Sequence, residues 1–82
     1  MPLSVRMPDI LAERSNHGQM RLSMPYRDGM KARDVVADSG FMGEEADAIL
    51  IVVNGAQVER EASISDGDTI ELVIQMVGGA QG

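Results

Sequence analysis

The feature that most constrains the fold of this chain is an uninterrupted apolar run, Ile49–Val53, which is followed at once by Asn54-Gly55. Five apolar residues rich in β-branched side chains indicate a strand that lies centrally in a sheet or is covered on both faces. Asn-Gly is the strongest short signal for a tight hairpin turn. The sequence therefore predicts a sheet built around this run, with a short strand over residues 57–59 after the turn.

Three further segments alternate apolar and polar residues, as half-buried strands do: residues 3–7, 20–24 and 69–76. The first two are expected to pair as an antiparallel hairpin, and residues 9–14 of their long connection to form a helical turn. In the last strand, Val73 lies on the outward face. The side chains predicted to point into the core are Met7, Met20, Met24, Ile70, Leu72, Ile74 and Met76.

The spacing of the apolar residues changes from alternation to a helical period over residues 30–39. Ala32, Val35, Val36 and Ser39 follow the spacing of a short amphipathic helix. Gly40 suits the position just after a helix end, where the backbone adopts a positive φ. We interpret the acidic stretch that follows, residues 41–47, as a surface loop.

The chain has 82 residues, which allows one domain. A helix with one apolar stripe and a sheet with one apolar face bury those faces by covering each other. The predicted fold is therefore a two-layer α+β domain over residues 1–77. Residues 78–82 offer almost nothing to pack and are expected to form a flexible tail.

Cysteine is absent, which excludes disulfide scaffolds, thiolate nucleophiles and cysteine-ligated metal centres. The acidic turn Asp66-Gly67-Asp68 lacks the further oxygen ligands of a calcium loop, so no metal site is expected. No constellation of acids and bases supports a classical enzyme. No apolar segment approaches the ~20 residues of a membrane span, and no apolar signal region is present, so a cytoplasmic location is expected.

The net charge is −6 and is unevenly distributed. Up to Arg33 there are six Lys or Arg against three Asp or Glu, and beyond it one against ten. Such a chain repels phosphate backbones, and with Tyr26 and Phe41 as its only aromatic residues it lacks a platform for stacking bases. Binding to nucleic acid is disfavoured, whereas a basic partner protein fits the acidic surface.

Three motifs in the last third of the chain resemble those of one family: Val53-Asn54-Gly55, Asp66-Gly67-Asp68 before the final strand, and Val77-Gly78-Gly79. Together with the element order, they resemble the ubiquitin-like β-grasp family and, within it, the small sulfur carriers of thiamine and molybdopterin synthesis. The N-terminal strand running into a helical turn is more similar to the molybdopterin branch. The resemblance implies a ββαββ fold, a mixed sheet of four to five strands packed on one helix.

The resemblance also implies a mechanism. An E1-like partner enzyme adenylates the carboxylate of Gly79 with ATP, sulfur replaces the adenylate to give a thiocarboxylate, and a sulfur-accepting synthase uses that sulfur. The chain is then a carrier and not an enzyme, with no bound cofactor. Gly78 and Gly79 suit this role, because a backbone without Cβ atoms can enter a narrow active site and adopt nearly any angle.

The chain departs from the family pattern by continuing after Gly79 with Ala80-Gln81-Gly82. Three interpretations compete. A protease cleaves between Gly79 and Ala80 and exposes the Gly79 carboxylate, Gly82 is itself the reactive terminus, or the carrier chemistry is lost and the protein only binds partners.

The residues expected to bind a partner are Val73, Met76 and Val77; for Val73 the reason is that in this fold the outward face of the sheet commonly meets the partner. Two alternatives to a sulfur carrier use the same elements. The first is a ubiquitin-like modifier that is joined to lysines of other proteins through the same terminus. The second is an interaction module whose sheet binds a partner without covalent chemistry.

Overall fold

The computed structural model describes residues 1–74, which form five strands and three short helices. In chain order these are β1 (Leu3–Arg6), α1 (Asp9–Arg14), β2 (Arg21–Met24), α2 (Ala32–Asp38), α3 (Gly43–Asp47), β3 (Ile49–Val53), β4 (Ala56–Val58) and β5 (Thr69–Ile74). The predicted strands and the predicted helix are confirmed to within a few residues. The end of the predicted strand over 69–76 and the expected flexible tail lie outside the described residues.

The strands form one mixed sheet in the order β2-β1-β5-β3-β4. β1 and β5 are parallel, and the other neighbours, including the predicted β1–β2 hairpin, are antiparallel. β5 therefore lies at the centre, hydrogen-bonded to β1 on one side and β3 on the other. The predicted α+β, ubiquitin-like β-grasp fold is confirmed.

The core lies between one face of the sheet and the helices. The inward face of the sheet contributes Leu3, Val5, Ile51, Ile70 and Leu72, which are all fully or almost fully buried. Ala32, Val35 and Val36 of α2 cover them, at the spacing that the sequence predicts. α2 begins where the Asp34 carboxylate accepts a hydrogen bond from the Lys31 N–H, at 2.8 Å. It ends just before Gly40, whose φ of 99° agrees with the expectation from the sequence.

The predicted surface loop over residues 41–47 is wrong in two respects. Residues Gly43–Asp47 form α3, and Phe41 is only 1% exposed and belongs to the core. Ala46 also packs against the core. The acidic composition suggested a solvated loop. In the structure, Glu44 and Glu45 instead occupy the first turn of α3, where negative charge is favourable.

The predicted inward position of Met20 is also wrong, since this side chain is 53% exposed. Met7 and Met24 are buried as predicted. Met20 precedes β2 at an outer corner of the sheet, and of β2 itself only Met24 is buried. Alternation is a guide to burial only where another layer covers the strand.

Two of the turn motifs lock onto each other. Asn54, with φ of 51°, donates its main-chain N–H to the carbonyl of Thr69 at 2.8 Å, and its side-chain carbonyl accepts from the Thr69 N–H at 3.0 Å. The Asn54 amide also donates to Asp68 at 3.0 Å, while the second oxygen of Asp68 accepts from the Ser65 N–H at 2.8 Å. The β3–β4 turn thereby fixes the beginning of β5.

Candidate functional site

The candidate site lies at the far end of β5, after which the sequence continues to Gly78-Gly79. β5 pairs with β1 through Thr69–Glu71 and with β3 through Ile70–Ile74, so it is held on both sides. Gly78, Gly79 and Ala80, as well as the predicted partner-binding residues Met76 and Val77, lie outside the described residues. Within residues 1–74, the first half of β5 is held on both sides, and the base of the candidate tail, at Ile74, is paired with Ile49 of β3.

Val73 lies on the outward face, as predicted, and it is half-buried. It pairs with Leu50 of β3, and Glu71 pairs with Val52. Because paired residues share a face of the sheet, Leu50, Val52 and Val73 form one apolar patch on the outward face, here called the outer patch. All three are partly accessible.

Sequence reasoning missed Leu50 and Val52. The signal was present in the run Ile49–Val53: with Ile49 and Ile51 facing the core, the intervening positions face outward. The apolar residues there have no layer of this chain above them within residues 1–74. An apolar outward face beside the end of β5 is suited to contact with another protein.

Charged groups border the outer patch on the side of β1. Arg6 lies 3.9 Å from Glu71, with both side chains half-exposed. Arg6, Glu71 and Val73 also line a shallow pocket of about 260 Å³ together with Met20. The candidate site therefore combines an apolar centre with a mixed-charge rim, as protein interfaces do.

A second depression lies on the opposite side of the sheet, between α1 and α3, and also reaches the end of β5. It has a volume of about 470 Å³ and is lined by Ile10, Ile49 and Ile74 among others. Arg14 and Glu45 form an ion pair at the rim of this depression. The hydrogen bond to Glu45, together with the negative charge of that carboxylate, raises the pKa of Arg14. Ile10 is 55% exposed beside it. Both faces of the sheet are thus apolar where the tail begins.

Within residues 1–74, no group of three or more His, Asp or Glu side chains is arranged to hold a metal ion. Among the helices of this part of the chain, none has the length and apolar character needed to cross a bilayer.

A mixed sheet with parallel β1 and β5 at its centre, covered by α2, defines a ubiquitin-like β-grasp protein. Residues 12–79 match the ThiS family, and the chain belongs to that family, the small ubiquitin-like sulfur carriers. The match ends at Gly79 and leaves out the last three residues.

Three solved structures share the fold. SAMP1 from Haloferax volcanii has a TM-score of 0.72 at 18% identity, with 96% of this chain and 100% of that one covered. A putative molybdopterin converting factor, subunit 1, from Pyrococcus furiosus has a TM-score of 0.66 at 19% identity, covering 93% and 99%. Urm1 from Trypanosoma brucei has a TM-score of 0.64 at 19% identity, covering 95% of each chain. At sequence identities this low, the structural similarity shows a shared fold and nothing beyond it.

Proposed function

We propose that this protein carries sulfur as a thiocarboxylate on Gly79. The observation that carries the proposal is the family match, which ends at Gly79 just after the strand that occupies the centre of the sheet. The Gly79 carboxylate attacks the α-phosphorus of ATP in an E1-like partner enzyme and expels pyrophosphate. Hydrosulfide supplied by a sulfur donor then attacks the carbonyl carbon of the acyl adenylate and expels AMP, which leaves the thiocarboxylate without any change of oxidation state.

In this scheme the chain is a substrate, and the partner enzyme supplies catalysis and ATP. The reacting atom belongs to the main chain, so the carrier needs no nucleophilic side chain and no bound cofactor. Its contribution is positional. A tail rooted in a central strand starts from a fixed point, and glycines allow its tip to pass between close walls.

The chemistry requires removal of Ala80-Gln81-Gly82, because in the full chain the Gly79 carbonyl is part of a peptide bond. A protease that cleaves between Gly79 and Ala80 would generate the reactive carboxylate. The end of the family match at Gly79 supports this site over Gly82.

The partners of this carrier are the adenylating enzyme, the trimming protease and a sulfur-accepting synthase in thiamine or molybdopterin synthesis or a related cytoplasmic pathway. We assign the outer patch of Leu50, Val52 and Val73, with Met76 and Val77 beyond it, as the surface that these enzymes contact. It lies at the base of the tail, so docking there would bring the terminus to the partner's active site.

The proposal is tested by the intact mass of the protein isolated from its native cell. We expect a chain that ends at Gly79, with a fraction carrying sulfur in place of one terminal oxygen. Denaturing gels of the same extract should show the free protein without covalent ladders. A population that consists entirely of chains ending at Gly82, or a ladder of conjugates, would contradict the proposal, and the ladder would favour a protein modifier.

Replacing Val73 with Asp is expected to lower kcat/KM for adenylation of the Gly79-terminated chain by about tenfold or more, because a charge in the centre of an apolar interface is left desolvated. The matched control is Thr69→Asp, on the same strand and the same face but outside the outer patch. This control should change kcat/KM by less than about twofold. If both variants lose kcat/KM equally, the outer patch is not part of the partner interface.

A further inference from the structure

Arg21 differs from every other Lys and Arg of this chain. Six of the seven cationic side chains have an acidic partner within 4.0 Å: Arg6 with Glu71, Arg14 with Glu45, Arg27 with Asp38, Lys31 and Arg33 with Glu61, and Arg60 with Asp47. Within residues 1–74, Arg21 has none. This is unexpected in a chain with 13 acidic residues and a net charge of −6.

The nearest charge across the sheet makes the position of Arg21 less favourable. β1 and β2 pair in a register that places Arg6 directly opposite Arg21, with Ser4 opposite Ser23 next to them. Like charges opposite each other on neighbouring strands repel. Glu71 lies 3.9 Å from Arg6 and offsets part of that charge. The second guanidinium is left without compensation by the described part of the chain.

Arg21 also lies on an open edge of the sheet, since within residues 1–74 β2 pairs only with β1. The Met7 N–H donates to the Met20 carbonyl at 2.9 Å, and in an antiparallel ladder bonded and non-bonded pairs alternate. Arg6–Arg21 and Ser4–Ser23 are therefore non-bonded pairs. The main-chain N–H and C=O groups of Arg21 and Ser23 consequently point away from β1, toward the open edge.

The surface beside this edge is rich in hydrogen-bond donors. A shallow groove of about 530 Å³ is lined by side chains that include Ser4, Arg6, Gln19, Arg21 and Ser23. A groove with two guanidiniums, two hydroxyls and an amide, next to unpaired strand groups, suits an extended chain that carries carboxylates.

We propose that the open edge of β2 binds an extended acidic segment of a partner protein as an additional strand. The segment's main chain would pair with Arg21 and Ser23, and its carboxylates would pair with the guanidiniums of Arg21 and Arg6. This edge lies on the far side of β1 from the outer patch, and the two share one face of the sheet, since Arg21 and Val73 line the same shallow pocket. The proposal does not depend on the chemistry of Gly79.

A second copy of this chain is a less suitable occupant. Pairing two β2 edges would bring two further arginines, Arg6 and Arg21 of the other copy, to a site that already has uncompensated positive charge. An acidic strand removes that repulsion, and charge complementarity therefore favours it.

The test is an NMR titration of the full 82-residue chain with a synthetic eight-residue peptide in which valine and glutamate alternate. We expect the largest shifts at the amides of Arg21 and Ser23, and weaker binding at high salt. A peptide of alternating valine and lysine should leave these amides unchanged. Equal binding of both peptides, or no shift at the edge with the glutamate peptide, would overturn the proposal. If the amide shifts of Arg21 and Ser23 change with protein concentration in the absence of peptide, the β2 edge pairs with a second copy of this chain, and the proposal is wrong.

Two pairs of variants separate charge from strand addition. Arg21→Gln should weaken binding about two- to fivefold, as expected for an exposed ion pair, while Arg27→Gln, which removes an exposed arginine outside β2 that already pairs with Asp38, should have no effect. Ser23→Pro removes an edge N–H that makes no bond to β1 and should weaken binding by about tenfold or more, whereas Ser23→Ala should not. Unchanged affinity in both Arg21→Gln and Ser23→Pro would overturn the proposal.

Discussion

A chain that ends at Gly79 is expected to release pyrophosphate from ATP in the presence of its adenylating partner, and the 82-residue chain is expected to react at least about 100-fold more slowly. Three additional residues span up to about 10 Å when extended, so the terminal carboxylate of Gly82 is displaced far from where Gly79 would be held. A misplacement of about 1 Å can already cost a factor of 100 in rate. The measurements are pyrophosphate release and, after addition of a sulfur donor, intact mass.

Two further chains of defined length provide the controls. A chain that ends at Gly78 retains a terminal glycine but is one residue short, and it should be as inactive as the full chain if position is decisive. Gly79→Ala in the chain ending at residue 79 keeps the length and adds one Cβ, so its rate reports how closely the partner encloses the tip. Equal activity of the full and trimmed chains would identify Gly82 as the reactive terminus and refute the assignment to Gly79.

Replacing Phe41 with Ala is expected to lower the free energy of unfolding by about 3–5 kcal/mol. The side chain is 1% exposed and is among the largest in the core, so its removal leaves a cavity there. For a domain of this size the loss corresponds to a large fraction of a total stability of about 5–15 kcal/mol. Urea denaturation followed by circular dichroism measures the change as a shift in midpoint.

The adjacent residue supplies a matched control. Met42 is 76% exposed, so Met42→Ala should change the free energy of unfolding by less than about 0.5 kcal/mol. The contrast between neighbours tests whether the segment after α2 is part of the core. Comparable, small effects of both substitutions would show that Phe41 belongs to a surface loop after all.

The strands were predictable because their patterns are local. The run Ile49–Val53 needed no knowledge of its neighbours to indicate a strand, and Asn54-Gly55 indicated the turn. The amphipathic spacing in α2 likewise determined which side chains face the sheet. Burial at Phe41 and exposure at Met20 were not predictable, since each depends on whether another layer covers that point.

Some residues of the candidate site were likewise predictable from the sequence, and others were not. The sequence singled out Val73 and the terminal glycines, because alternation and composition are visible residue by residue. Leu50 and Val52 joined Val73 only through the β3–β5 register. This register relates residues 17 to 25 positions apart, and alternation within one strand does not specify it.

By itself, the sequence determined the strands, the helix α2, the helical turn at α1 and their order, because each follows from neighbours along the chain. The tertiary structure alone decided that β5 is the central strand, that Phe41 is buried, and that Arg21 lies opposite Arg6 on an edge strand, with no carboxylate within 4 Å in residues 1–74. The physical reason is that burial, pairing and charge compensation arise between segments distant in sequence, which only folding brings together.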